Sequence, residues 1–214
     1  MMRFSLITLF PDACDAYLNA SIIGRARKEK KISISYQNPR DFVENKWGKV
    51  DERPYGGGPG MVVTALPVIK AVEKALNKKK KSVVIWFSPS AKQFTNKDAD
   101  ALAKYDDIIL VCGRYEGIDA RVKKAFKMED ISVGPFVLTG GELPAMLVID
   151  SVARRLPGVL GDINSLEESR VACTDVYTRP EVIDYKGKKV RVPKILLSGD
   201  RAKINEWKKG RGKK

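Results

Sequence analysis

Asp107-Ile108-Ile109-Leu110-Val111-Cys112-Gly113 sets an unbroken apolar run between an acid and a glycine. A run this short and this apolar reads as a buried strand that the glycine ends. The reading extends outward in both directions. Ser82–Phe87 is a second such strand, followed at once by the turn Ser88-Pro89-Ser90. Phe4–Leu9 is a third, stopped by Pro11, and Ile32–Tyr36 alternates as a short fourth. Ile131–Val133 begins a last one. Helical stretches lie between them. Asp12–Lys30 is expected to break near Ser21. Ala65–Leu76 places Val68, Ile69, Val72 and Leu76 on one face behind a Thr64 cap, with Pro67 tolerated in the first turn. A helix from Thr95 or Asn96 ends near Lys104, a short one covers Asp119–Phe126, and Glu142–Leu156 follows Gly140 and Gly141. Alternation of this kind predicts an α/β domain with a mainly parallel sheet.

After Pro157 the pattern changes. Residues 158–176 are polar and aperiodic, then Val190–Leu197 is β-like and Ala202–Lys209 helical. The chain is expected to divide into a core domain of residues 1–160, a linker of 161–175 and a short basic appendage of 176–214. Arg201–Lys214 carries seven basic residues and one acid, Glu206.

Composition narrows the function. The 214 residues hold 40 Lys and Arg against 26 Asp and Glu, a net charge of +14. Such an excess points to a polyanionic partner. No stretch approaches the ~20 apolar residues of a membrane span, and MMRFSLITLF is too short for a signal peptide. The absence of histidine removes His-based catalysis and His metal sites. Cys14, Cys112 and Cys173 are odd in number and widely spaced, which reads as reduced cytosolic thiols.

In open α/β sheets ligands bind beyond the carboxyl ends of the strands. Ser88–Ala91, Gly113–Gly117 and Val133–Gly141 are the three loops in that position. Two bear glycines, so their main chain can approach a ligand closely. Taken singly, each glycine is also accounted for by ending a strand. None of the loops matches GxGxxG or GxxxxGK[ST], which weakens NAD and nucleoside triphosphate readings. The long loop Pro39–Met61 contains Tyr55-Gly56-Gly57-Gly58-Pro59-Gly60-Met61, with four glycines in six positions, a stacking face on Tyr55 and a cation at Arg53. Met61-Val62-Val63 should anchor it to the core. Arg154 and Asp150 interrupt an otherwise apolar helix, four residues apart and on one face. They form either a solvated pair or a surface turned to a partner chain or ligand.

Together these motifs resemble one family. Asn38-Pro39-Arg40-Asp41-Phe42, Val50–Met61, Cys112-Gly113-Arg114-Tyr115-Glu116-Gly117-Ile118-Asp119, Val137–Met146, Pro157–Gly161, Tyr177–Glu181 and Leu196-Leu197-Ser198-Gly199 are similar, in order, to bacterial tRNA (guanine-N1)-methyltransferases of the SPOUT class. The resemblance implies an α/β methyltransferase domain with a deep trefoil knot, a linker and a C-terminal domain that is truncated here. It implies a cytoplasmic homodimer that binds tRNA and S-adenosylmethionine and requires magnesium. The cofactor residues it implies are Ser88, Pro89, Gly113, Arg114, Tyr115, Glu116, Val133, Gly134, Pro135, Phe136, Val137, Leu138, Gly140, Gly141 and Pro144. Tyr55, Gly56, Gly57, Gly58 and Pro59 would bind substrate.

The implied reaction is methylation of N1 of the guanine 3′ of the anticodon, position 37. Guanine N1 must lose its proton to become nucleophilic, so a carboxylate base is needed. Charge then grows on O6, where an arginine stabilises it. By resemblance the arginine is Arg154. The family's Glu-Asp-Ser-Phe segment aligns with Glu167-Glu168-Ser169-Arg170, which makes Glu168 the base, with Glu167 and Asp175 the next candidates. Two other readings are a tRNA-binding protein of this fold without turnover, and a methyltransferase of the same class acting on a ribose hydroxyl.

Overall fold

All five strands of the central sheet run the same way. In the computed structural model, which describes residues 1–161 and 175–211, they are β1 (Met2–Ile7), β2 (Ile32–Gln37), β5 (Ser82–Phe87), β6 (Asp107–Val111) and β7 (Glu129–Ile131). Their order is β2-β1-β6-β5-β7, and every neighbouring pair is parallel. The α/β expectation therefore holds. β3 (Asp51–Glu52) and β4 (Val62–Val63) form a separate antiparallel pair.

Helices cover both faces because the strand side chains alternate. Phe4, Leu6, Val83, Ile85, Ile108 and Leu110 pack with buried residues of α1 (Pro11–Leu18), α2 (Ser21–Lys28), α4 (Asn96–Leu102) and α6 (Glu142–Ala153). Ile7, Val84, Ile109 and Val111 pack on the other side with α3 (Ala65–Ala75), α5 (Val122–Ala125), Val50, and Val63 of β4. Arg3 ties three elements together. Its Nε and Nη2 reach the buried Asp107 carboxylate at 2.9 and 2.7 Å, and Nη2 also donates to the Ala75 carbonyl at 2.6 Å.

Element positions follow the sequence with instructive departures. The break near Ser21 falls between α1 and α2, as expected. Thr95 forms a capping box with Asp98 at the start of α4. Thr64 does not cap α3 with its side chain; its hydroxyl donates to the Val50 carbonyl, as does its N–H, at 3.1 and 2.7 Å. That tie closes the long 39–61 loop, which is anchored by β3 and β4. β7 ends at Ile131, two residues earlier than Val133, because Ser132 turns to exchange backbone hydrogen bonds with Lys92 and Phe94.

The chain folds as two compact units, Met1–Gly161 and Asp162–Lys214. In the second, β8 (Val182–Tyr185) and β9 (Lys188–Arg191) form an antiparallel hairpin, followed by α7 (Lys194–Leu197) and α8 (Arg201–Arg211). Tyr177 and Trp207 lie with ring centroids 6.3 Å apart. The β-like Val190–Leu197 is corrected here. The strand stops at Arg191, since Pro193 cannot donate to a ladder and caps a helical turn instead. The hairpin itself turns on Lys186-Gly187, both at positive φ, a two-residue connection that local sequence marks only weakly.

Candidate active site

β6, β5 and β7 are neighbours in a parallel sheet, so the loops leaving their carboxyl ends converge. They enclose a cleft of about 400 Å³, within the usual range for a small-molecule site. Ser88 and Pro89 line it after β5, and Gly113, Arg114, Tyr115 and Glu116 line it after β6. Val133, Gly134, Phe136, Val137, Leu138, Gly140, Gly141 and Pro144 complete it. Pro135 is not among the lining residues. Trp86, Phe87, Gly117, Ile118, Ile131, Ser132 and Thr139 line it too; Gly117, Ile118 and Thr139 belong to the motifs quoted above, whereas the others sit at strand ends and carry no motif.

The loops are tied to one another. The Gly141 N–H donates to the Gly113 carbonyl at 2.9 Å, and Arg114 and Gly140 form an antiparallel bridge. Gly141 lies so close that a Cβ there would sit 2.6 Å from Cys112 Cα and 3.0 Å from Gly113 N. A Cβ on Gly113 would meet Ile118 Cγ1 at an ordinary 3.5 Å. Tyr115 adopts the left-handed region at φ 59°. The Glu116 N–H donates to the Met61 carbonyl at 3.0 Å, which fastens the end of the glycine-rich loop to the cleft wall.

Behind this wall lies a buried charge. Glu142, 3% exposed, begins α6. Its Oε1 accepts from the Thr8 hydroxyl at 2.7 Å, and its Oε2 lies 3.0 Å from Arg114 Nε. The pair is close enough for a salt bridge but out of line for a hydrogen bond, so Nε and Oε2 are each left without one. The Arg114 guanidinium carbon sits 4.5 Å over the Phe10 ring. The sequence alone assigns Glu142, Thr8 and Phe10 no role. The one local signal for Glu142 is an acid following a Gly-Gly pair at the head of an apolar helix.

Other candidates lie elsewhere. Arg154 is the half-buried C-cap residue of α6. The Asp150 carboxylate accepts from the Tyr17 hydroxyl at 2.7 Å. Glu167 and Glu168 fall outside the described residues, and Asp175 is exposed. None of Tyr55, Gly56, Gly57, Gly58 and Pro59 lines the cleft; Tyr55 is 100% exposed, and the three glycines take positive φ. That left-handed backbone accounts for the glycine run.

Cys14 and Cys112 are free and buried. Burial, with Glu142 next, pushes the Cys14 thiol up to about 11 and the Cys112 thiol well above the ordinary range. Among the described residues no group of three or more His, Cys, Asp and Glu could hold a metal ion. No helix among them is long and apolar enough to cross a membrane.

Comparison with known proteins gives the family. The profile of the tRNA (guanine-1)-methyltransferase TrmD family matches residues 2–214. Three relatives carry the name tRNA (guanine-N(1)-)-methyltransferase. The one from Dechloromonas aromatica is 48% identical, over 97% of this chain and 84% of its own length. Those from Buchnera aphidicola and Bacillus pumilus are 44% and 43% identical, over 97% of this chain and 79% and 86% of theirs. A family match over residues 2–214, with relatives 43–48% identical over 97% of the chain, makes this protein a member of the TrmD family of tRNA (guanine-1)-methyltransferases.

Proposed function

We propose that this protein transfers a methyl group from S-adenosylmethionine to N1 of the guanine at position 37 of tRNA. The observation that carries the reading is the convergence of the family's three loop motifs on one cleft of about 400 Å³. The cleft suits the cofactor chemically. Leu138, Ile118, Phe136 and Pro144 offer apolar walls for an adenine and a thioether chain, and the 113–117 and 134–141 loops bring main-chain groups alongside. When bound, S-adenosylmethionine supplies a methyl group made electrophilic by its sulfonium.

The chain's own residues then have four tasks. Ser88, Pro89, Gly113, Arg114, Tyr115, Glu116, Val133, Gly134, Phe136, Val137, Leu138, Gly140, Gly141 and Pro144 would hold the cofactor, with Pro135 shaping the loop without lining the cleft. Arg154 balances the negative charge that develops on guanine O6. Glu168, carried over from the family's motif, takes the N1 proton as general base. Tyr55–Pro59, exposed and glycine-rich, meet the substrate nucleotides; Tyr55 supplies a stacking face. The +14 charge supplies attraction for the tRNA backbone.

A homodimer belongs to this reading. Leu143 and Leu147, one turn apart on α6, are 59% and 44% exposed, and an apolar pair so placed suits a second copy of the chain. So does a cytoplasmic location, where tRNA substrates and free thiols are found. The magnesium requirement rests on the resemblance alone. The described residues provide no cluster for the ion, and none of the four tasks depends on it. The test of the reading is incubation with unmodified tRNA and methyl-labelled S-adenosylmethionine, followed by nucleoside digestion. Label in 1-methylguanosine supports it. Label in a 2′-O-methylnucleoside, or cofactor and tRNA binding without transfer, replaces it with one of the two alternatives.

A further inference from the structure

We propose that Glu142 is a positioning residue that sets the Arg114 guanidinium in the wall of the cleft, where Arg114 receives an anionic oxygen of a ligand. The inference rests on the cleft being the cofactor and substrate site, as proposed above.

A carboxylate buried to 3% exposure is costly unless its charge is used. Here the Thr8 hydroxyl fixes one oxygen and the Arg114 Nε faces the other at 3.0 Å. Phe10 supports the guanidinium from one side at 4.5 Å. Arg114 is thus held at its inner nitrogen and over a ring, while its two terminal nitrogens make no hydrogen bond to any described residue. Those nitrogens form the part of a guanidinium that pairs bidentately with carboxylates and phosphates. Arg114 itself lines the cleft.

The glycine beside the pair fits the same account. A Cβ on Gly140 would lie 2.5 Å from Glu142 Oε2 and collide with Arg114 Nε as well. Glycine at 140 therefore makes room for the ion pair, besides any room it leaves for a ligand. The misaligned contact also allows the guanidinium to rotate slightly when an anion arrives, as catalytic hydrogen bonds often tighten only in the complex. Two anionic oxygens could serve. One is the carboxylate of the cofactor's methionine moiety, and the other is a phosphate of the tRNA.

The experiment compares the full-length parent with Glu142→Gln, Arg114→Ala and the double variant. S-adenosylmethionine affinity is measured by calorimetry, tRNA affinity by filter binding, and kcat and KM by methyl transfer. Glu142→Gln keeps the Thr8 acceptor and the side-chain shape but removes the charge. It should weaken one ligand by about tenfold or more, the scale of a lost hydrogen bond to a charged group. A loss in the calorimetric arm assigns Arg114 to the cofactor carboxylate, and a loss in the filter arm assigns it to a phosphate. The double variant should be no worse than Arg114→Ala, because Glu142 acts only through Arg114. Should Glu142→Gln fail to fold, Thr8→Val keeps the charge and loosens its anchor; it should give a smaller loss in the same arm that is absent on the Arg114→Ala background. Losses that multiply in the double variant, or parent-like affinity in Glu142→Gln, overturn the inference alone. A parent that binds neither ligand overturns the function reading and this inference with it.

Discussion

Gly141→Ala should damage the site more than any other single added methyl in the cleft. The added Cβ would stand 2.6 Å from Cys112 Cα and 3.0 Å from Gly113 N. Carbon atoms rest about 3.5 Å apart at the closest comfortable contact, so the two loops must separate by roughly 0.9 Å. Neither obstacle is a flexible side chain. Cys112 directly follows the central strand β6, and the Gly113 carbonyl accepts the Gly141 N–H across the gap. Overpacking of this kind costs about 1–3 kcal/mol of stability. The loops carry cleft-lining residues on both sides, and a shift near 1 Å in a positioned group can cost about 10²-fold in rate. Gly113→Ala is the internal control, since its Cβ meets Ile118 at an ordinary 3.5 Å. The assay is calorimetry with S-adenosylmethionine beside steady-state methyl transfer and a thermal melt. Gly141→Ala should melt earlier, bind more weakly and turn over roughly a hundredfold more slowly, whereas Gly113→Ala should keep the parent's melting temperature. Gly141→Ala with parent-like melting, affinity and turnover would refute the argument that these loops are locked together.

Arg3→Met should leave Asp107 buried and unpaired, at a cost of about 3 kcal/mol, the lower end for a broken buried pair because Arg3 is one-third exposed; chemical denaturation measures it. At about 2–4 °C per kcal/mol for a chain of this size, the midpoint should fall by roughly 6–12 °C. Cys14 and Cys112 should resist alkylation in the native protein at pH 8 and react once it is unfolded, as mass spectrometry of modified peptides will show. The Cys14 thiol is raised from 9.0 to about 11, so its contribution to stability is whole below pH 9 and is lost as the pH rises towards 11. Affinity for tRNA should fall by about 10²-fold between 50 and 200 mM salt if four phosphates are contacted, and truncation of Lys208–Lys214 should flatten that slope.

Four strands of the sheet are legible in the sequence because each is a short apolar or alternating run with punctuation at its ends; the fifth, Glu129–Ile131, opens on two exposed acids and only its last residue carries the apolar signal. Gly113, Pro89 and Pro11 mark where strands stop, and the rule for parallel sheets then places the loops that line the cleft. The Glu142–Arg114 pair is not legible, since nothing local says that Thr8 and Phe10, more than a hundred residues away in sequence, come to lie behind Gly140. That proximity is a product of β1 and β6 pairing side by side. Thr64 misleads for a related reason: a hydroxyl at an N-cap position has a second use when a buried carbonyl, here that of Val50, lies within reach. The hairpin after Glu181 is hidden because Lys-Gly is a weaker turn signal than Asn-Gly, and its four-residue strands are too short to show alternation.

The central claim, methyl transfer to guanine N1 at one position, is tested most directly by mapping the product. A tRNA transcript with guanine at position 37 and the same transcript with adenine there are treated with the protein and S-adenosylmethionine, then digested and sequenced by mass spectrometry. The account predicts 1-methylguanosine at position 37 of the first transcript and no methylation of the second. Methyl groups on ribose, on another guanine, or on both transcripts alike would contradict it.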